Sequence, residues 1–162
     1  MITVGIITVS DRSSRGERED LSGPEIRAWA LAKEYAVQKE TVVPDEIEDI
    51  QKALRDFSDE GIQMIFTTGG TGFAPRDVTP EATLGIIEKE APGFAEAMRQ
   101  RSLEITPHAM LSRARSGIRK KSLIINLPGS PKAVRENLGF IEKALPHAVE
   151  LLKGDVSDCG SV

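Results

Sequence analysis

The chain has 162 residues, of which 40% are hydrophobic and 28% are charged, and its formal net charge is −4 at pH 7. These values predict one soluble globular domain with a sizeable core. The acidic balance argues against a nucleic-acid partner or an anionic membrane surface, because both of these partners favour basic proteins. The aromatic content of only 4% also argues against a surface on which bases stack. No apolar run approaches the roughly 20 residues that span a bilayer. A single cysteine, Cys159, favours a reducing compartment, so we expect a cytoplasmic protein.

Short apolar runs rich in β-branched residues alternate with helical patterns along the chain. The apolar runs predict four buried strands, over residues 4–9, 37–43, 62–67 and 122–127. Helices are predicted to begin near residues 22, 47, 79, 94, 107, 131 and 146. This alternation predicts an α/β fold, a single three-layer domain whose mostly parallel sheet is flanked by helices. The domain is expected to cover residues 1–154, followed by a flexible C-terminal tail over residues 155–162.

The most distinctive stretch follows the third predicted strand. There the sequence reads Thr68-Gly69-Gly70-Thr71-Gly72, then Arg76-Asp77, and then a helix start at Thr79-Pro80-Glu81. Glycines let the backbone approach an anion closely and turn its N–H groups toward it. The stretch therefore predicts a phosphate-binding loop. It is neither a Walker A motif nor a dinucleotide fingerprint, because no lysine follows the last glycine and no Gly-x-Gly-x-x-Gly occurs.

Polar residues also follow the other three predicted strands, as Ser10-Asp11-Arg12, Pro44-Asp45-Glu46 and Pro128-Gly129-Ser130-Pro131. The carboxyl ends of parallel strands share one edge of the sheet, where ligands bind in open α/β folds. We therefore expect one composite substrate site, although the last segment could form only a tight turn and a helix start. The predicted substrate-binding residues are Ser10, Asp11, Thr68, Gly69, Gly70, Thr71, Gly72, Pro128, Gly129 and Ser130.

Two carboxylates of this edge, Asp45 and Asp77, are the predicted metal ligands and catalytic residues. Mg²⁺ prefers one or two carboxylates together with substrate phosphates and waters, so two aspartates on neighbouring loops suffice. The alternative for each aspartate is a helix N-cap, which would satisfy unpaired backbone N–H groups.

The other polar residues give little indication of a metal site or a catalytic role. His108 and His147 lie far from any Cys/His cluster and predict no zinc site. The basic run over residues 113–121 is typical of a solvated face, with phosphate attraction or an oligomer contact as alternatives. Ser112 and Cys159 have no evident activating base, so the sequence does not support nucleophilic catalysis.

Taken together, these motifs resemble the molybdenum cofactor biosynthesis family that includes molybdopterin adenylyltransferases. The resemblance covers residues from about 4 to 152. The matching segments are Ser10-Asp11-Arg12, Pro44-Asp45, Thr68-Gly69-Gly70-Thr71-Gly72, Pro75-Arg76-Asp77-Val78-Thr79-Pro80-Glu81-Ala82, Pro92-Gly93-Phe94, Leu111-Ser112-Arg113 and Asn126-Leu127-Pro128-Gly129-Ser130-Pro131-Lys132.

The resemblance implies a trimeric α/β protein that binds molybdopterin and ATP with Mg²⁺. Such enzymes transfer AMP from ATP to the terminal phosphate of molybdopterin and release pyrophosphate. Asp45 and Asp77 match aspartates important for Mg-ATP and catalysis, and the glycine-rich loop with Ser10, Asp11 and Ser130 matches loops around the pterin and the phosphates. The resemblance also implies a molybdate-insertion protein as a partner. The alternative is a non-catalytic molybdopterin-binding protein of the same superfamily.

Overall fold

The computed structural model describes residues 1–154, so the predicted tail and Cys159 lie outside the described residues. The strands are β1 (Thr3–Val9), β2 (Ala36–Val43), β3 (Met64–Thr68), β4 (Lys89–Glu90), β5 (Ser116–Arg119) and β6 (Ser122–Leu127). The helices are α1 (Asp11–Ser14), α2 (Ser22–Ala32), α3 (Ile47–Asp59), α4 (Thr79–Leu84), α5 (Gly93–Leu103), α6 (Pro131–Ile141) and α7 (Leu145–Lys153). A short 3₁₀ helix covers Pro107–Leu111. Within residues 1–154, every helix is too short or too polar to span a bilayer.

The strands form one six-stranded sheet in the order β2-β1-β3-β6-β5-β4. Strands β1, β2, β3 and β6 pair in parallel, whereas β5 and β4 pair antiparallel at one side. This arrangement confirms the predicted mostly parallel sheet. The carboxyl ends of the four parallel strands consequently lie along one edge.

Apolar residues of each central strand alternate between two cores, one on each face of the sheet. Ile6 and Phe66 pack in the core that is covered by α2, α5, α6 and α7. Ile7 and Ile65 pack in the opposite core, which α3 and α4 cover. Burial on both faces is the reason why these strands appear in the sequence as continuous apolar runs. The three layers are thus two helical layers around the sheet.

The segment after α5 differs from its sequence prediction. A helix was expected through residues 107–116, but the 3₁₀ helix ends at Leu111 and β5 begins at Ser116. The intervening residues are held against the loop that follows β3, because the Arg113 N–H donates to the Thr71 carbonyl at 2.8 Å. A tertiary hydrogen bond therefore overrides the local helical preference.

A buried polar network joins the sheet to α4 beneath the same loop. Asn126 in β6 is fully buried, and its Nδ2 donates to Thr67 Oγ1 at 2.9 Å and to Thr83 Oγ1 at 3.0 Å. Its Oδ1 accepts from the Arg115 N–H at 3.0 Å. Thr83 Oγ1 donates in turn to the Thr79 carbonyl at 2.9 Å, at the start of α4. The network fixes the position of the α4 N-terminus relative to the strand ends.

We expect Asn126→Leu to lower the free energy of unfolding by about 1–3 kcal/mol, because it leaves buried polar partners unpaired. Thr83→Val removes the hydroxyl that accepts one of the two hydrogen bonds from Asn126 Nδ2, so it should lower the free energy of unfolding by less. Urea denaturation of the three proteins measures both losses. An Asn126→Leu protein as stable as the wild type would contradict the role of this network.

Candidate active site

The carboxyl ends of the four parallel strands border a cleft of about 430 Å³, called here the polar cleft. Eight of the predicted site residues line it, namely Ser10, Asp45, Thr68, Gly69, Gly70, Asp77, Gly129 and Ser130. Asp11 begins α1 beside it and contacts Asp45. The four strand-end segments predicted to converge therefore do so in the structure.

A second cavity of about 280 Å³, called here the apolar cleft, borders the same loops. The remaining predicted residues, Thr71, Gly72 and Pro128, line this cavity instead of the polar cleft. Its other walls come from α5, the 3₁₀ helix, the segment after that helix, and α6. They include Met98, Ser102, Ile105, His108, Leu111, Ser112 and Asn137, none of which the sequence analysis assigned to a site.

The glycine loop, residues 68–72, runs between the two clefts in left-handed backbone conformations. Gly69 has a φ of +98° and Gly70 a φ of +70°. A Cβ on Gly69 would overlap the Val9 carbonyl oxygen, and a Cβ on Gly70 would overlap Thr79 Oγ1. Both the backbone conformation and the available space therefore require glycine at these two positions.

The carbonyl groups of residues 69–72 in this loop are all held by protein donors. Thr79 Oγ1 donates to the Gly69 carbonyl at 2.9 Å, and the Thr79 N–H donates to the Gly70 carbonyl at 3.1 Å. The Arg113 N–H and Nε donate to the carbonyls of Thr71 and Gly72, each at 2.8 Å. The Gly69 N–H donates to the Leu127 carbonyl at 3.3 Å. A loop whose carbonyl oxygens are occupied in this way can present its remaining N–H groups to a phosphate.

Asp45 and Asp11 are joined by reciprocal hydrogen bonds. Asp45 Oδ2 accepts from the Asp11 N–H at 2.8 Å, and Asp11 Oδ1 accepts from the Asp45 N–H at 2.9 Å. Burial raises the pKa of Asp45, and the nearby carboxylates of Asp11 and Asp77 raise it further. The opposite holds for Asp11, because the hydrogen-bonded guanidinium of Arg76 lowers its pKa. The protein thus compensates the charge of Asp45 less than that of Asp11.

Neither predicted metal ligand is a helix N-cap. The N-cap of α3 is Glu46 and that of α4 is Val78, and neither helix has a side-chain cap. Asp77 instead closes the turn before α4, since its Oδ2 accepts from the Ala74 N–H at 3.0 Å. The N-cap alternative is therefore wrong for Asp45 and Asp77. By contrast, Ser130 caps α6, where its Oγ accepts from the Ala133 N–H at 3.2 Å, and it also lines the polar cleft.

The two aspartates fit a magnesium ion that shares its shell with phosphates. A Cβ on Gly70 would lie 3.2 Å from Asp45 Oδ1, and a Cβ on Gly72 would lie 3.0 Å from Asp77 Oδ2, so both carboxylates border the glycine loop. Within residues 1–154, no three His, Cys, Asp or Glu side chains converge to hold a metal alone. Phosphate and water oxygens would complete the shell, as Mg²⁺ prefers.

Asp20 and Arg113 are among the charged residues of this region that were not assigned to a site from the sequence. Asp20 lines the polar cleft and accepts from Thr8 Oγ1 at 2.8 Å and from the Gly23 N–H at 3.0 Å. Arg113 contacts the glycine loop and also pairs with Glu81 at 2.6 Å. No local motif marks Asp20, whereas Arg113 lies in the segment Leu111-Ser112-Arg113 that carries the family resemblance, although the sequence gives no sign of its contacts with the glycine loop.

Three other cations of the basic run form ion pairs at the surface. Arg115 pairs with Glu90 at 3.2 Å, and both Arg119 and Lys120 pair with Asp59 at 2.6 Å. These two cations lower the pKa of Asp59 to about 2. The solvated-face interpretation of these residues agrees with the structure, since their charges are compensated away from both clefts.

A family model described as a probable molybdopterin binding domain matches residues 5–147, so the chain belongs to this family. The chain is 42% identical over 170 residues to the molybdopterin adenylyltransferase of Haemophilus influenzae, covering 95% of this chain and 86% of that protein. It is 48% identical over 159 residues to gephyrin of Dictyostelium discoideum, covering 92% of this chain but only 22% of gephyrin. The match to gephyrin therefore concerns one part of a longer protein.

The fold also matches solved structures over nearly its whole length. The crystal structure of the molybdopterin biosynthesis enzyme MoaB from Thermus thermophilus superimposes with a TM-score of 0.90 at 49% sequence identity. That alignment covers 95% of this chain and 98% of the Thermus chain. The three-layer α/β architecture is thus the one shared by this family.

Asp45→Asn is expected to stabilise the fold near neutral pH. A carboxyl whose pKa is raised by folding costs stability once the pH rises through that pKa, so removing its charge should raise the Tm. The gain should shrink as the pH falls and Asp45 becomes protonated. Calorimetric scans over pH measure this dependence.

The exposed Glu48→Gln substitution on α3 is the control for the loss of one negative charge. It should produce no such pH-dependent gain. An Asp45→Asn protein less stable than the wild type near neutral pH would show that the Asp45 charge is well compensated in the free protein.

Proposed function

We propose that this chain is a molybdopterin adenylyltransferase, which transfers AMP from ATP to the terminal phosphate of molybdopterin and releases pyrophosphate. One observation carries the proposal: a single phosphate-binding loop borders two clefts of different chemistry. Such an arrangement suits two substrates that meet at their phosphate groups. The relative from Haemophilus influenzae that carries this name, and that matches nearly the whole chain, supports the same activity. Nothing in these relatives favours a non-catalytic pterin-binding protein.

The polar cleft is suited to the triphosphate of ATP. Asp45 and Asp77 would hold Mg²⁺ there, and when bound the ion would neutralise charge on the triphosphate and on the departing pyrophosphate. The N–H groups of the glycine loop would bind phosphate oxygens, and Ser10 and Ser130 supply hydroxyl groups at the same edge. The triphosphate would therefore be held through the Mg²⁺ ion and the N–H groups of the loop.

The apolar cleft is suited to the pterin. A pterin ring is flat and largely apolar on its faces but has hydrogen-bonding groups at its edges. Met98, Ile105 and Leu111 provide apolar walls, while Ser102 and Asn137 provide hydrogen-bonding groups beside them. A pterin bound here would direct its phosphate toward Thr71 and Gly72 and thus toward the polar cleft.

The chemistry needs alignment more than covalent help from the protein. An oxygen of the molybdopterin phosphate forms a bond to the α-phosphorus of ATP, and the bond from that phosphorus to the β-bridging oxygen breaks. The attacking phosphate is already ionised near neutral pH, so no general base is needed. Backbone N–H groups of the loop would hold attacking and leaving groups in line. A catalytic histidine or cysteine would therefore not be needed.

With this activity, pyrophosphate should appear only when molybdopterin, ATP and Mg²⁺ are all present. Its amount should equal that of the adenylylated product. Asp77→Asn should lower turnover at least about 100-fold, because it removes one of the two carboxylates that would hold the charge-neutralising Mg²⁺ ion. The Tm should change little, since an asparagine Oδ1 can still accept from the Ala74 N–H. Pyrophosphate release and calorimetry measure the two effects.

Asp49→Asn, at an exposed position of α3, provides a charge-matched control that should keep its turnover. Tight molybdopterin binding without pyrophosphate release by the wild type would instead favour the non-catalytic alternative. Undiminished turnover of Asp77→Asn would contradict its assignment as a metal ligand.

We further infer a cytoplasmic homotrimer that passes its product to a molybdate-insertion protein. The trimer and this partner follow from the family resemblance, and the cytoplasmic location follows from the use of ATP and a single cysteine. Exposed apolar side chains support self-association. Phe73 and Met110 are each 68% exposed and Ile105 is 50% exposed, all on segments that border the apolar cleft.

Light scattering after size-exclusion chromatography should therefore give a mass near three times the 17.6 kDa of the chain. Met110→Ser should shift the protein toward the monomer if this exposed side chain packs against another copy, whereas Leu31→Ser on α2 should not. A wild-type mass of one chain at micromolar concentration would contradict the trimer.

A further inference from the structure

Arg113 lies in neither cleft but holds the backbone between them. Besides its bonds to the carbonyls of Thr71 and Gly72, its Nη2 donates to the Asp77 carbonyl at 2.7 Å. Its Nη1 pairs with Glu81 in α4 at 2.6 Å. One side chain thus fixes both ends of the segment 72–77, whose last residue is a predicted metal ligand.

The segment that carries Arg113 is itself held from the apolar cleft. Arg99 in α5 donates through Nη1 to the Ala114 carbonyl at 2.8 Å and to the Ser112 carbonyl at 3.4 Å. Arg99, Ser112 and Ala114 all line that cleft. Arg99 thus holds the backbone on both sides of Arg113 from the wall of the apolar cleft, and Arg113 in turn donates to the Asp77 carbonyl.

We propose that Arg113 is a positioning residue that sets the Asp77 carboxylate and the Gly72 backbone for nucleotide binding from the apolar side of the site. The inference rests on the proposed function. Arg113 acts through its backbone partners and touches neither substrate. Glu81 orients the guanidinium, because an ion pair to Nη1 leaves Nε and Nη2 aimed at the two carbonyls.

Geometry, and not charge, is the basis of this role. The planar guanidinium offers three N–H directions that match two carbonyls and one carboxylate at once. A lysine at this position keeps the positive charge but presents a single ammonium group, which cannot replace all three bonds. Arg113→Lys therefore separates positioning from a simple electrostatic attraction of the triphosphate.

The first measurement needs no substrate. Hydrogen exchange of the free protein reports on the turn 74–77, in which the Ala74 and Asp77 N–H groups are both hydrogen-bonded. Arg113→Lys should speed exchange at these amides by about 10-fold or more, since the turn loses its tie to Arg113. Arg115→Lys, at an exposed arginine paired with Glu90, is the matched control and should leave these amides unchanged.

The second measurement is the Mg²⁺ concentration that gives half-maximal pyrophosphate release with molybdopterin and ATP. In Arg113→Lys this concentration should rise by about 10-fold, the range typical when a residue behind a metal ligand is lost. Arg115→Lys should match the wild type. Glu81→Gln should shift the value in the same direction but less, because the two carbonyl bonds of Arg113 remain.

The outcomes are distinct. Wild-type exchange at the turn together with wild-type Mg²⁺ dependence in Arg113→Lys would overturn the proposal. A uniformly lower Tm with neither local change would assign Arg113 a structural role only, and would also overturn it. If the wild type releases no pyrophosphate, the proposed function fails while hydrogen exchange still decides whether Arg113 holds the turn.

Discussion

The whole site depends on how the carbonyl groups of the glycine loop are held. Thr79, at the start of α4, donates hydrogen bonds to the carbonyls of Gly69 and Gly70. Arg113, from the segment after the 3₁₀ helix, donates to the carbonyls of Thr71 and Gly72. A glycine-rich loop without such partners would sample many conformations, because glycine loses more backbone entropy on folding than other residues. Two distant residues thus offset that cost and give the loop one orientation. The loop can then serve both clefts.

The carboxylates beside the loop differ in how far neighbouring groups compensate their negative charge. Asp11 is stabilised as an anion by Arg76, which also pairs with Glu46 at 2.8 Å. Asp45 receives a backbone N–H but lies partly buried beside two other carboxylates, and its pKa is raised. A site that keeps one carboxylate poorly compensated is prepared for a cation that arrives with the substrate.

Much of this arrangement follows from the sequence through one topological rule. The alternation of apolar runs with helical patterns predicted parallel strands, and parallel strands bring their carboxyl ends to one edge. The proximity of Asp45, Gly70 and Ser130 followed directly, although they are far apart in sequence. Their chemical roles remain predictions, because proximity alone does not test them.

The apolar cleft and its contacts could not be predicted in the same way. Its walls come from single positions on α5, the 3₁₀ helix and α6, which have no common spacing in the sequence. Residues 68–70 of the glycine loop line the polar cleft, whereas Thr71 and Gly72 line the apolar cleft, and no sequence pattern marks this division. Arg113 reaches Gly72 across 41 residues, and the two-residue strand β4 is too short to give a pattern. Such features arise only from tertiary packing.

The most direct test is a crystal structure of the protein with Mg²⁺ and a non-hydrolysable ATP analogue. We expect the triphosphate to lie in the polar cleft, with the metal about 2.0–2.1 Å from oxygens of Asp45 and Asp77. The α-phosphate should contact N–H groups of the glycine loop on the side that faces the apolar cleft. A triphosphate bound away from the loop, or a metal that contacts neither aspartate, would contradict this expectation.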